Sequence, residues 1–81
     1  MRYKVSRSAR RHRIGNAHII AALQSETATV VEQRDNGAQL IIATDDRGVE
    51  LEIGIRPSIE DPADLAIIFH CMPTHYRKEQ S

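Results

Sequence analysis

Apolar and polar residues alternate through Val49-Glu50-Leu51-Glu52-Ile53-Gly54-Ile55, so that the aliphatic side chains share one face and the carboxylates the other. A period of two residues is that of a half-buried β-strand. Leu65-Ala66-Ile67-Ile68-Phe69-His70-Cys71-Met72 is almost continuously apolar, the pattern of a strand covered on both sides or central in a sheet. Between the two, Pro57-Ser58 and Glu60-Asp61-Pro62-Ala63-Asp64 form a polar, proline-marked connection. Upstream, Thr27 to Gln33 is rich in β-branched residues and Gln39 to Thr44 is a second apolar arm. Asp35-Asn36-Gly37 between them carries the Asn-Gly hairpin signal, and Asp45-Asp46-Arg47-Gly48 is a further turn cluster. The pattern predicts an antiparallel meander followed by a last strand, Leu65 to Met72, and then a polar tail.

The N-terminal third has a different texture. Arg2 to Val5 alternates basic and apolar residues, as expected of a short edge strand whose charges discourage aggregation. Ser6 or Ser8 is placed to cap a basic helical segment, Ala9-Arg10-Arg11-His12-Arg13, which Ile14-Gly15 ends. Asn16 is placed to cap a second helix, Ala17 to Ser25, with Ile19, Ile20, Leu23 and Ala22 on its apolar side and His18 and Gln24 facing outward. The expected architecture is a single α+β domain spanning residues 1–81. It has one antiparallel β-sheet of four to five strands and two short N-terminal helices packed on one face, in the order β-α-α-β-β-β-β. Its core is expected to set Val30, Leu40, Ile42, Leu51, Ile53, Ile67 and Phe69 against Ile19, Ile20 and Leu23.

Composition narrows the class. The chain has 81 residues and no tryptophan, so a small core must be filled by aliphatic side chains, which favours a partner chain or a homodimer. Cys71 is the single cysteine and sits in apolar company, the signature of a buried, reduced thiol. No apolar run has the length of a membrane span, and the basic start lacks the apolar stretch of a signal peptide; a cytoplasmic protein without membrane association is expected. The formal net charge is zero, yet six basic residues and no acid precede Glu26, whereas ten acids face three arginines from Glu26 to Asp64. Such a bipolar chain can present a cationic patch while staying neutral overall. The counter-charge for that patch is nucleic-acid phosphate, the acidic half of the same chain, or an acidic partner protein.

The chemistry available is limited. There is no phosphate-cradling glycine loop, no paired-cysteine zinc pattern and no nucleophile elbow. His70 and Cys71 point to opposite faces of an extended strand and cannot jointly hold one ion, so neither a metal nor a cofactor is expected. Of His12, His18, His70 and His75, His70 stands out, because it ends a buried strand beside the basic segment and imidazole can relay a proton near neutral pH.

Arg11-His12-Arg13-Ile14 after a basic helix, a capped second helix running to Ala21-Ala22-Leu23, and the β-meander together resemble the BrnT-type toxins of bacterial toxin–antitoxin pairs. The terminal His70-x-Met72-Pro73 with Tyr76-Arg77-Lys78-Glu79 is similar in placement to that group's last strand and trailing residues. His12 matches the group's histidine, Arg13 stands where the group has glycine, and Val5 and Ser6 stand where it has an aromatic residue and an aspartate. The resemblance implies a RelE-related α+β fold and metal-independent cleavage of messenger RNA. It also implies inhibition by a co-expressed antitoxin, of ribbon-helix-helix type in the expected gene pair. RNA supplies its own nucleophile, the 2′-hydroxyl, so the protein has to orient it, stabilise the phosphorane and move protons. In that reading His70, His75, His12 and Arg77 carry the chemistry. Arg10, Arg11, Arg13 and Lys78 hold phosphate, and Tyr76 stacks on a base. The alternative is a non-catalytic interaction module whose basic helix docks an acidic partner; a DNA-binding helix-turn-helix is a third reading.

Overall fold

Alternation in the strand segments and the two turn clusters fold the chain much as they are written. The computed structural model describes the backbone of residues 1–79 and the side chains of residues 1–77. The elements run β1 (Arg2–Val5), a 3₁₀ turn (Ser8–Arg10), α1 (Asn16–Gln24), β2 (Thr29–Gln33), β3 (Gln39–Thr44), β4 (Glu50–Pro57), β5 (Leu65–Pro73) and α2 (Thr74–Glu79). They form one five-stranded sheet in the order β1-β5-β4-β3-β2. Both tight turns rest on glycine in the left-handed region, Gly37 at φ 85° and Gly48 at φ 80°. Asp45 secures the second turn: its buried carboxylate accepts the Arg47 and Val49 backbone N–H groups at 2.8 and 3.0 Å and the Arg47 guanidinium at 2.7 Å.

The architecture is α+β, as expected, but the sheet is mixed. β1 pairs parallel to β5, from Arg2 opposite Leu65 to Val5 opposite Ile68, while the other pairings are antiparallel. A parallel neighbour requires a crossover, and the chain makes it through the whole meander, returning along β1 from the far end. β1 is an edge strand, and its Arg2 pairs with Asp61 and Asp64 at 2.9 and 3.0 Å. The expected pair of N-terminal helices is not formed. Only Ser8 to Arg10 forms a three-residue 3₁₀ turn, and three residues further on Arg13 takes φ 57°, off the right-handed helical course. That removes the helix-turn-helix geometry a DNA-reading domain needs. The Asn16 cap is corrected too: Gly15 occupies the N-cap position and no side chain caps α1. The second helix lies instead at the C-terminus, where a polar tail was expected.

The core lies under α1. Ile19 and Ala22 of α1 pack with Ala9, Ile41, Ala43, Leu51, Ile53, Ile68 and Cys71. Leu51 and Ile53 were expected there; Leu40, Ile42, Ile67 and Phe69 are only half-buried, and Val30 is 48% exposed. The reason is register. Ile41 faces Ile53 and Ala43 faces Leu51, which sends Leu40 and Ile42 to the other side with Glu52 and Gly54. Each fully buried aliphatic side chain contributes about 1.5–3 kcal/mol, so this face holds the fold together and leaves the opposite one free for other work.

Candidate functional site

That opposite face is shaped by a single irregularity in β5. Between Gly54 and Ile55 the β4–β5 register shifts: His70 lies opposite Gly54, whereas Ile55 lies opposite Ile68. Phe69 is thus the extra residue of a bulge, which turns a strand locally and re-aims side chains. Ile68 and Cys71 keep the core face on either side of it, and Phe69 and His70 are both turned toward the other face. Gly54 makes room: a Cβ built there would stand 2.7 Å from Phe69 Cε2. Ser8 of the 3₁₀ turn pins the bulge by donating its hydroxyl to the Phe69 carbonyl at 2.6 Å.

Glu52 forms the floor of the site. It sits in β4 between two neighbouring strands, and its side chain is only 7% exposed. Three charge-assisted bonds satisfy it: Arg77 donates Nε to Oε1 at 3.0 Å and Nη2 to Oε2 at 2.7 Å, and His70 Nε2 meets Oε2 at 2.8 Å. Burial pushes the Glu52 carboxyl upward, but the bonds from Arg77 and His70 outweigh it and hold the group below the usual carboxylate range. The same pairing raises the Arg77 guanidinium further above its ordinary value. An ionised Glu52 accepts from His70 Nε2–H, which leaves Nδ1 as the ring nitrogen free to take or give a proton.

Two hollows open above this floor and share Ser8, Phe69 and His70. The larger, about 840 Å³, runs from Glu52, His70 and Arg77 across Phe69 to Glu32, Arg34 and Gln39. The smaller, about 370 Å³, is lined by Ser8, Arg11, His12, Phe69, His70 and Met72. α2 closes one side. Its Tyr76 ring meets His12 edge-on at 5.4 Å and His75 at 4.8 Å, and Thr74 donates to Glu50 at 2.8 Å.

The structure therefore brings His70, Arg77, Arg11, His12 and Tyr76 to one corner. His75 belongs to the same helix and is exposed, while Arg10 and Arg13 are exposed and line neither hollow. The Lys78 side chain lies outside the described residues. Of the six N-terminal cations only Arg2 forms an ion pair among the described residues, so the acidic half of the chain does not neutralise this segment. Sequence reasoning missed Glu52, which alternation alone assigns to solvent. The signal that could have found it is its place in a strand flanked by two apolar ones, where either face is sheltered.

A second cluster, His18, Asp45 and Asp46, gathers within 4.8 Å at the other turn. Its groups are already committed: Asp45 holds the turn and Asp46 pairs with His18 Nδ1 at 2.7 Å. No helix among the described residues is long and apolar enough to cross a membrane. Compared with protein-family models, with curated proteins and with solved structures, the chain matches none.

Proposed function

We propose that the protein is a small toxin-like ribonuclease of the BrnT/RelE kind, cleaving messenger RNA without a metal and held in check by a protein antitoxin. The observation that carries this reading is the shared placement of His70, His12 and Arg11 around one hollow, with His70 held by the buried Glu52 carboxylate, on which Arg77 also forks. Independent support comes from Arg13. The resembled toxins have glycine at that position, and Arg13 adopts φ 57°, a conformation glycine takes without penalty.

His70, donating Nε2–H to Glu52, accepts the 2′-hydroxyl proton at Nδ1. The 2′-oxygen attacks the adjoining phosphorus and the bond from phosphorus to the 5′-oxygen breaks. His12 delivers a proton to that leaving oxygen, giving a 2′,3′-cyclic phosphate and a 5′-hydroxyl. Arg11 faces the equatorial phosphoryl oxygens, where charge accumulates in the transition state. Arg77, fixed by its fork on Glu52 yet 66% exposed, adds cationic potential at the rim.

Inducible expression with growth and RNA integrity followed together tests the reading. The wild type is expected to arrest growth and fragment messenger RNA, and His70→Ala or Arg11→Ala to do neither while remaining folded by circular dichroism. Wild-type protein that leaves growth and RNA untouched overturns it. In that event the second reading stands, an interaction module. One observation favours that one: all five residues of β2 are exposed at the free edge of the sheet, Val30 and Val31 among them.

A further inference from the structure

Phosphate chemistry accounts for the smaller hollow but not for the larger. The chain has three aromatic residues in all, and none is fully buried in its core. Its one phenylalanine is spent on the wall between the two hollows, propped on Gly54 and fixed by the Ser8 bond to its carbonyl. A flat apolar ring next to a cationic corner is what stacks on a nucleobase. The volume of about 840 Å³ lies inside the roughly 300–1,000 Å³ of small-molecule sites.

The far end of the cleft carries a particular set of polar groups. Arg34 Nε donates to Glu32 Oε1 at 3.1 Å, and Glu32 lies opposite Leu40, on the face that carries Glu52. This bond leaves Glu32 Oε2 and a second lone pair on Oε1 as acceptors and the Arg34 Nη groups as donors. Two acceptors beside a donor fork complement a ligand with two donor groups next to an acceptor. Among the four RNA bases only guanine presents that edge, with N1–H and N2–H beside O6, itself flanked by N7; adenine, cytosine and uracil each offer a single donor group.

We propose that the larger cleft is a guanine subsite, with the base stacked on Phe69, its N1–H and N2–H donated to the two carboxylate oxygens of Glu32, and its O6 accepting from Arg34. The proposal deepens the ribonuclease reading and rests on it for the adjoining phosphate, which the shared His70 and Phe69 set in the smaller hollow. Cleavage then falls next to guanine in single-stranded RNA.

Binding of the four 5′-mononucleotides and of ribose 5-phosphate, measured by titration calorimetry or NMR shift mapping, tests it without any turnover. GMP is expected to bind at least tenfold tighter than AMP, CMP or UMP. Phe69→Leu and Glu32→Gln should each bring GMP to within about threefold of the others, and Glu32→Gln should leave ribose 5-phosphate binding unchanged. Glu32 is exposed, so that variant keeps the test alive if Phe69→Leu unfolds. Equal or undetectable binding of the four nucleotides, or a GMP preference that survives both variants, overturns the subsite. Cleavage mapping on RNA separates the two claims. RNA cut without regard to base, with no GMP preference, removes the subsite and keeps the ribonuclease. A GMP preference in a protein that leaves RNA whole keeps the subsite and removes the ribonuclease.

Discussion

Replacing Glu52 by glutamine keeps its shape and deletes its charge. The carboxylate accepts from three donor atoms and is almost wholly removed from water. A glutamine oxygen can keep Arg77 Nη2 and His70 Nε2, but its amide nitrogen then faces Arg77 Nε, donor against donor. A hydrogen bond to a buried charge contributes about 1.5–3 kcal/mol. The Arg77 side chain is 66% exposed, so solvent screens much of its share. The expected loss is about 1–2 kcal/mol, or roughly 4–16 °C in melting temperature for a domain of this size. The loss also has a pH signature. Because Glu52 is held below its ordinary value of 4.5, the folded protein binds fewer protons there than the unfolded chain. Its contribution is complete above that value and disappears as pH falls through the lower folded one. Asp45 and Asp46 are lowered as well, but they are present in both proteins and cancel from the difference. Urea unfolding followed by circular dichroism, from neutrality down to about pH 3, should show wild type and Glu52→Gln diverging at pH 7 and converging in acid. A gap of equal width at both ends, or none at neutrality, refutes the reasoning.

Two further outcomes bear on the scaffold. Burial pushes the Cys71 thiol up to about 12, so a thiolate-selective reagent at pH 8 should leave the native protein unlabelled and label it at once in urea; rapid native labelling contradicts the placement. Arg13→Gly should stabilise by about 0.5–1 kcal/mol in chemical denaturation, since glycine relieves the left-handed backbone that an L-residue adopts there at a penalty of about 1–2 kcal/mol. A destabilised Arg13→Gly variant would show that the arginine side chain anchors this turn.

The strands and their turns were legible because each carries its own local signal. β3 spans Gln39–Thr44, as its flanking turns foretell, and Asn36-Gly37 closes the hairpin before it. The face each strand buries was not legible where apolar residues stand on both sides. In Leu40-Ile41-Ile42-Ala43 nothing local says that Ile41 rather than Ile42 faces α1; the pairing with Ile53 and Leu51 decides it. The bulge was invisible for the same reason, since Ile67-Ile68-Phe69 is apolar throughout. α2 escaped because Thr74-His75-Tyr76-Arg77 has no apolar periodicity; it is docked by Arg77 on Glu52 and by the Tyr76 ring, not by a buried stripe. For the site, His70, Arg77, Arg11 and His12 could be named from their residue types and positions. The carboxylate that binds two of them together could not, because its role exists only across strands.

The odd residue in β5 gives that strand two phases, one on each side of Phe69. Removing Phe69 alone would leave a regular weave with Ile68 and Cys71 still facing the core and His70 between them facing away. The extra length at this point therefore serves the cleft, to which it adds an aromatic wall, and not the core.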